Sequence, residues 1–112
     1  MNILILDKVY FVGIGGIGMS ALARYFHAQG KKVGGYDKTE TELTKSLAQE
    51  GIDVHYEDNN IPDWMLEDHH EKPLIVYTPA IPESNQELQY FKQHDFYIYK
   101  RAEVLGFVTQ DA

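Results

Sequence analysis

The sequence predicts a doubly wound α/β fold, with a five-stranded, mainly parallel sheet and helices on both faces. Short apolar runs alternate with amphipathic stretches along the chain, as in repeated strand–helix units. One run, Leu74–Tyr77, is apolar throughout, which is typical of a central parallel strand covered on both faces. Another run, Val9–Val12, leads directly into a glycine-rich turn and a predicted helix.

Composition limits the classes of protein that the chain can represent. Its 112 residues are enough for a single domain, residues 1–112, with 44% apolar and 24% charged residues. A net charge of -7 argues against nucleic acid or an anionic membrane as a partner. No apolar run is as long as a membrane span, and the lack of cysteine is compatible with a cytoplasmic location.

The turn after the first strand carries the strongest motif. Gly13, Gly15 and Gly18 have the spacing G-x-G-x-x-G, and a fourth glycine, Gly16, lies between them. A helix is predicted to follow, with the apolar stripe Met19, Leu22, Ala23 and Phe26 and the solvent face Ser20, Arg24, His27 and Lys31. Strand, turn and helix together define a Rossmann-like unit.

Such a turn is expected to bind an anion. The first N–H groups of a helix lack backbone partners and lie at the positive end of its dipole. Glycines allow a sharp turn and let a diphosphate approach without meeting a Cβ. The residues expected to hold it are Gly13, Gly15, Gly16, Ile17, Gly18, Met19 and Ser20. The alternative is a tight turn that binds nothing.

The second predicted strand, Val33–Asp37, ends in an acidic residue. Asp37 follows Gly18 by 19 positions, where dinucleotide-binding folds place an acid that accepts hydrogen bonds from a ribose. The spacing favours a nucleotide without choosing among nucleotides. The alternative is that Asp37 only begins a loop.

Local signals predict the remaining elements. Thr39 and Glu42 form a predicted capping box for a second helix. Ile52–Tyr56 alternates as a third strand, and Trp64–Leu66 is one helical turn in a polar segment. A helix over 85–93, a strand over 96–99 and a helix over 102–108 follow. Ile3–Leu6 is either an extra strand or a frayed end.

A crevice is expected at the carboxyl ends of the strands, where open α/β sheets bind ligands. The Gly13–Gly18 loop and the rigid turn Thr78–Pro82 should face each other across it. No pattern of a catalytic triad, a zinc protease or an ATP phosphate loop is present, so no catalytic residue and no metal site are predicted. The adjacent pair His69–His70 is expected to be solvated. The scattered His27, His55 and His94 are expected to lack carboxylate partners.

The segment Phe11–Ser20 resembles the opening signature of the UDP-N-acetylmuramate–L-alanine ligases of the Mur ligase family. The similarity continues at Gly35–Asp37, at Thr78–Ile81 and at Lys100–Leu105, so it covers nearly the whole chain. The chain departs from the family pattern at Gln86, where a proline is common, and at Pro79, where a small polar residue is common.

The resemblance implies the N-terminal UDP-sugar-binding domain of a three-domain enzyme, without the central ATP-binding and C-terminal domains. Such enzymes use ATP and Mg²⁺ to phosphorylate the lactyl carboxylate of UDP-N-acetylmuramate, and L-alanine attacks the acyl phosphate. This reaction belongs to peptidoglycan biosynthesis, and thus to cell-wall biogenesis, cell shape and cell division. The chain alone is expected to be inactive and to need no cofactor.

Site residues are implied in the same way. The glycine loop would hold the diphosphate, Asp37 and Lys38 would lie at the uridine end, and the opposite wall would be Thr78, Ala80, Ile81 and Arg101. For Arg101 the alternative is an ordinary surface arginine. Two other functions stay open: an NAD(P)-binding domain of an oxidoreductase, which Gly16 and the lack of a placed proton donor disfavour, and a non-catalytic nucleotide sensor.

Overall fold

The computed structural model describes residues 3–67 and 72–110. The strands are β1 (Lys8–Val12), β2 (Lys32–Tyr36), β3 (Asp53–His55), β4 (Leu74–Tyr77) and β5 (Tyr97–Lys100). The helices are α1 (Ile17–Ala28), α2 (Glu42–Gln49), α3 (Asp63–Leu66), α4 (Gln86–Gln93) and α5 (Arg101–Gln110), preceded by a 3₁₀ turn at Ile3–Ile5. The predicted alternation of strands and helices is confirmed.

All five strands run parallel, in the order β3-β2-β1-β4-β5. The chain builds the sheet outwards from β1 through β2 to β3, and then crosses back to add β4 on the other side of β1. The strand order therefore reverses between β1 and β4. In open α/β sheets this is the point at which the carboxyl ends open a crevice.

Helices cover both faces of the sheet, and β1 alternates its side chains between them. Val9 and Phe11 pack in the cluster that includes residues of α1, α2 and α5, which we call the α1 face. Tyr10 and Val12 pack in the cluster that includes residues of α3 and α4, which we call the α4 face. No helix in residues 3–67 and 72–110 is long and apolar enough to cross a membrane.

Two details of the helices differ from prediction. The cap of α2 is Thr41, which accepts a hydrogen bond from Thr44 N at 3.2 Å, so the box predicted at Thr39 and Glu42 is wrong. The reason is a local turn: Thr39 N donates to Asp37 Oδ1, two residues earlier, at 3.0 Å, which holds residue 39 outside the helix. Ser20 is not on a solvent face, because it is 3% exposed.

The segment before β1 is neither an extra strand nor a frayed end. Ile3 and Leu6 are buried in the cluster of the α1 face. Lys31 Nζ donates to Leu4 O at 2.7 Å and to Leu6 O at 2.8 Å, which ties this turn to the end of the first strand–helix unit. The pair His69–His70 lies outside the described residues.

Candidate functional site

A cavity of about 550 Å³ lies at the carboxyl ends of the central strands, within the usual size range of small-molecule sites. Its lining is Gly13, Gly16, Gly18, Met19, Tyr36, Asp37, Lys38, Asp58, Thr78, Ala80, Ile81, Pro82, Ser84, Asn85 and Arg101. The glycine loop and the turn after β4 do face each other, because a Cβ added at Gly13 would lie 2.7 Å from Ile81 Cδ1.

Most of the site residues predicted from the sequence line this cavity. The structure brings together Gly13, Gly16, Gly18, Met19, Asp37, Lys38, Thr78, Ala80, Ile81 and Arg101. Three predicted residues are not in the lining. Gly15 lies against Asp37, and Ile17 is 86% exposed at the first position of α1. Ser20 is buried, its hydroxyl donates to Ile17 O at 2.9 Å, and its N–H donates to Gly16 O.

Backbone hydrogen bonds fix the glycine loop. Gly13 N and Ile14 N both donate to Tyr36 O, at 2.7 and 3.0 Å, which fastens the loop to the end of β2. The loop then enters α1, whose first N–H groups belong to Ile17, Gly18 and Met19. Gly16 is the N-cap and offers them no side-chain cap. This uncapped helix start at the edge of the cavity can attract an anion.

Two of the glycines are explained by the protein itself. Gly13 has a φ of +94°, which side chains other than glycine's rarely tolerate. At Gly15 the reason is crowding, since an added Cβ would lie 2.6 Å from Asp37 Oδ2 and 3.0 Å from Thr44 Cγ2. Neither glycine therefore requires a ligand to explain it.

At Gly16 neither backbone strain nor crowding requires a glycine, although glycine is also a favourable N-cap residue. Its φ is −66°, and the nearest atoms to an added Cβ, Gly13 O and Met19 Cγ, are 3.7 Å away, an ordinary contact. At Gly18 an added Cβ would meet Arg101 Cδ at 3.0 Å. Arg101 thus lies against the start of α1, half-buried at the cavity, and its cation adds to the positive end of the helix dipole.

Asp37 is held in place by two backbone N–H groups. Gly15 N donates to its Oδ2 at 2.8 Å, and Thr39 N donates to its Oδ1 at 3.0 Å. A carboxylate can accept about four hydrogen bonds, so acceptor positions remain for a ligand in the cavity. The acid predicted from its spacing to the glycine loop is thus hydrogen-bonded to that loop, through Gly15 N.

The cavity also contains residues that the sequence argument missed, of which Tyr36, Asp58 and Asn85 are the most informative. Burial, and then Asp58, Glu87 and Asp37, raise the pKa of the Tyr36 hydroxyl, so it stays a neutral donor. Each of the three had a local signal. Tyr36 ends a strand beside Asp37, Asp58 follows the end of β3, and Asn85 is the N-cap of α4.

The prediction that His55 lacks a carboxylate partner is wrong. Its Nε2 lies 2.8 Å from Oε2 of Glu87, which is fully buried. Tyr10 of β1 also donates its hydroxyl to Glu87. Glu87 stands 32 positions after His55, so only the folded sheet could reveal the pair.

Taken together, the all-parallel sheet, its switch point and the uncapped helix start define a Rossmann-like α/β domain of the kind whose crevice takes nucleotide phosphates. The chain belongs to the Mur ligase family. The family model "Mur ligase family, catalytic domain" matches residues 8–111.

Individual relatives agree with this assignment. The UDP-N-acetylmuramate–L-alanine ligase of Parabacteroides distasonis is 54% identical over 112 residues, which are 100% of this chain and 24% of that protein. The enzyme of the same name from Flavobacterium johnsoniae is 53% identical, over 99% of this chain and 24% of that protein. The chain thus spans about a quarter of the length of these relatives.

A solved structure shows the same fold. The crystal structure of UDP-N-acetylmuramate-alanine ligase from Thermotoga maritima matches with a TM-score of 0.75 and 31% identity, over 93% of this chain and 23% of that one. The comparisons give no support to the alternative of an NAD(P)-binding oxidoreductase domain.

Proposed function

We propose that this chain is the UDP-sugar-binding domain of an ATP-dependent ligase that joins L-alanine to UDP-N-acetylmuramate in peptidoglycan biosynthesis. The relatives from Parabacteroides distasonis and Flavobacterium johnsoniae carry that name and are about four times as long as the matched region. The ATP-binding and C-terminal domains would correspond to the rest of their length, so the chain alone is expected to be inactive. The reaction's substrates suggest a cytoplasmic location.

In this proposal the ligand lies along the cavity with its diphosphate at the start of α1. The N–H groups of Ile17, Gly18 and Met19 would donate to the phosphate oxygens, and Arg101 would add a cation. Asp37 and Lys38 would lie at the uridine end, with Thr78, Ala80 and Ile81 on the opposite wall. The net charge of -7 makes these local donors necessary, because the overall field opposes a phosphate.

ATP and Mg²⁺ would supply the phosphoryl group that activates the sugar's carboxylate in the full-length enzyme. This chain's residues would bind the other substrate and orient it. No residue of the chain is assigned a bond-making role, and no cofactor is assigned to this domain.

The observation that carries the proposal is Gly16. Its backbone conformation is open to any residue and its surroundings have room for a Cβ, yet it is a glycine that lines the cavity at an uncapped helix start. A ligand that approaches the backbone closely explains this absence of a side chain.

The first test substitutes this glycine. Gly16→Ala should change the free energy of unfolding by about 1 kcal/mol or less, since no atom of the protein is crowded. It should weaken the binding of UDP and of UDP-N-acetylmuramate by roughly tenfold or more, because a Cβ would separate the phosphates from the N–H groups. Isothermal titration calorimetry on the 112-residue chain measures both affinities.

Gly106→Ala is the matched control. An added Cβ at Gly106 has nothing within 4 Å, and this glycine is in α5, outside the cavity lining. The control should bind like the wild type. Wild-type affinity in Gly16→Ala would remove the main support for the site, and failure of the wild type to bind either nucleotide would refute the proposed function.

A further inference from the structure

A fully buried carboxylate lies behind the cavity. Glu87, in the first turn of α4, is 0% exposed and accepts three hydrogen bonds. Its Oε1 accepts from the Tyr10 hydroxyl, and its Oε2 accepts from His55 Nε2 at 2.8 Å and from Asn60 N at 3.0 Å. These partners come from β1, from β3 and from the loop that follows β3.

A residue of the same loop, Asp58, accepts hydrogen bonds from the start of α4. Asp58 Oδ2 accepts from Gln86 N at 2.8 Å, and its Oδ1 accepts from Glu87 N at 3.1 Å. Asp58 therefore occupies the first N–H groups of α4 from outside the helix. Asn85, the N-cap residue, accepts from Leu88 N at 2.8 Å. Both Asp58 and Asn85 line the cavity.

The two sets of bonds are reciprocal. The Asp58 carboxylate of the loop accepts from backbone N–H groups of the helix. The Glu87 carboxylate of the helix accepts from the Asn60 N–H of the loop. We call Asp58, Asn60, Gln86 and Glu87 the clasp. It joins the loop after β3 to the start of α4, on the α4 face of the sheet.

A gain in folding stability is a poor explanation for the buried carboxylate of the clasp. A charge taken out of water costs free energy, and buried ionic networks can often be replaced by apolar residues without loss of stability. On the α1 face, the buried polar side chains of residues 3–67 and 72–110 are the neutral Ser20 and Thr44, beside an apolar cluster. The buried carboxylate lies instead directly behind two residues of the cavity wall.

The clasp also distinguishes the two helix starts next to the cavity. The first N–H groups of α4 are taken by Asp58, whose negative charge faces the same space. The start of α1 has no side-chain cap and has Arg101 against it. An anionic group would be attracted to α1 and repelled from α4.

We propose that Glu87 is a positioning residue of the UDP-sugar site: it holds Asp58 on the start of α4, so that this helix start is closed to phosphate and the diphosphate is directed to α1. Glu87 does not touch the ligand in this role. The inference rests on the proposed function for the identity of the ligand, whereas the clasp itself is testable without any ligand.

The ligand-free test is amide hydrogen exchange by NMR on wild type and Glu87→Gln. The glutamine side chain has one acceptor oxygen where the carboxylate has two, and an NH₂ at the other position. The three hydrogen bonds that Glu87 accepts therefore cannot all survive. The amides of Asn60, Gln86 and Glu87 should then exchange at least roughly tenfold faster, while those of β1 keep their protection. Unchanged exchange at these three amides would overturn the clasp.

The ligand test compares affinities for UDP-N-acetylmuramate by calorimetry. Glu87→Gln should weaken binding by roughly tenfold, the loss expected for one charged or well-placed polar contact. Because Glu87 acts through Asp58, the same substitution should have little further effect in an Asp58→Ala background. Additive losses in the double variant would refute a role through Asp58.

Leu88→Ala is the control for general destabilisation. Leu88 is buried in α4, next to Glu87, and its side chain is not in the cavity lining. This variant should melt earlier and still bind like the wild type at a temperature where it is folded. If it loses as much affinity as Glu87→Gln, the role of Glu87 is merely structural. If the wild type does not bind while the exchange results hold, the proposed function fails and the clasp stands.

Discussion

The two faces of the sheet are built from different kinds of residue, although β1 contributes to both. The α1 face buries aliphatic side chains and phenylalanine around Phe11 and Phe26. The α4 face packs aromatic rings around Tyr10 and Phe91, with the buried Glu87 and the half-buried His55 among them. Within residues 3–67 and 72–110, the buried polar side chains beside the α1 face are the neutral Ser20 and Thr44, whereas the α4 face buries the carboxylate of Glu87.

This difference suggests a division of roles. Apolar contact on the α1 face is not directional and stabilises the fold in proportion to the area buried. Hydrogen bonds on the α4 face depend on geometry and so determine where particular atoms lie. The hydrogen-bonded face is the one whose helix α4 begins at the wall of the cavity.

The largest expected loss of folding stability comes from a substitution on the α1 face. Phe26→Ala removes a fully buried ring and should lower the free energy of unfolding by about 3–5 kcal/mol, as lost burial and a residual cavity both cost stability. Urea unfolding followed by circular dichroism measures this change. A loss below about 1 kcal/mol would contradict the view that apolar burial on this face stabilises the fold.

An intermediate effect is expected on the α4 face. Tyr10→Phe keeps the ring and removes the hydroxyl that donates to Glu87, which should cost about 1–3 kcal/mol. Burial, and then the charge of Glu87, raise the pKa of Tyr10, so the hydroxyl is a donor throughout the neutral range. Tyr25→Phe, at a tyrosine that is 41% exposed, is the control and should stay within about 0.5 kcal/mol of wild type. Equal losses of stability in the two variants would show that the buried hydroxyl of Tyr10 contributes no more than an exposed one.

The smallest effect concerns the exposed bonds between Arg24 and Glu50, which join α1 to the end of α2 at 2.8–3.2 Å. The hydrogen bond from Arg24 lowers the pKa of Glu50. The stability that Glu50 contributes is therefore present above its ordinary pKa and is lost as pH falls through the lowered pKa. The difference in melting temperature between wild type and Arg24→Gln should be small at neutral pH and should shrink further in acid. A difference that grows on acidification would contradict this sign.

Much of this arrangement could be predicted from sequence because it depends on neighbours along the chain. The glycine loop, the turn after the apolar β4 and the acid after β2 are local or regularly spaced signals, and the structure brings them to one cavity. The cap of α2 was misplaced because Asp37 holds Thr39, a contact that a pattern of threonine and glutamate does not contain.

The clasp could not be predicted for a different reason, which is distance along the chain. Asp58 and the backbone of Gln86 are 28 positions apart, and no periodicity links an acid in a loop to the start of a distant helix. Their meeting follows from the strand order, which is a property of the whole sheet. A local signal could therefore mark Asp58 or Asn85 as a residue near the cavity, but no signal showed which distant groups they would contact.

The pairing of β1 with β4 has a consequence for folding. β2 is the neighbour of β1 on one side and comes soon after it in sequence, but Val9 pairs with Leu74 of β4 only across a long intervening chain. Contacts so distant in sequence are costly to close and slow to form. Because the crevice lies between the ends of these two strands, it exists only once the two halves of the sheet have joined. Nucleotide binding would therefore report on completion of the fold, and a chain stalled with one half of its sheet would have no site to fill.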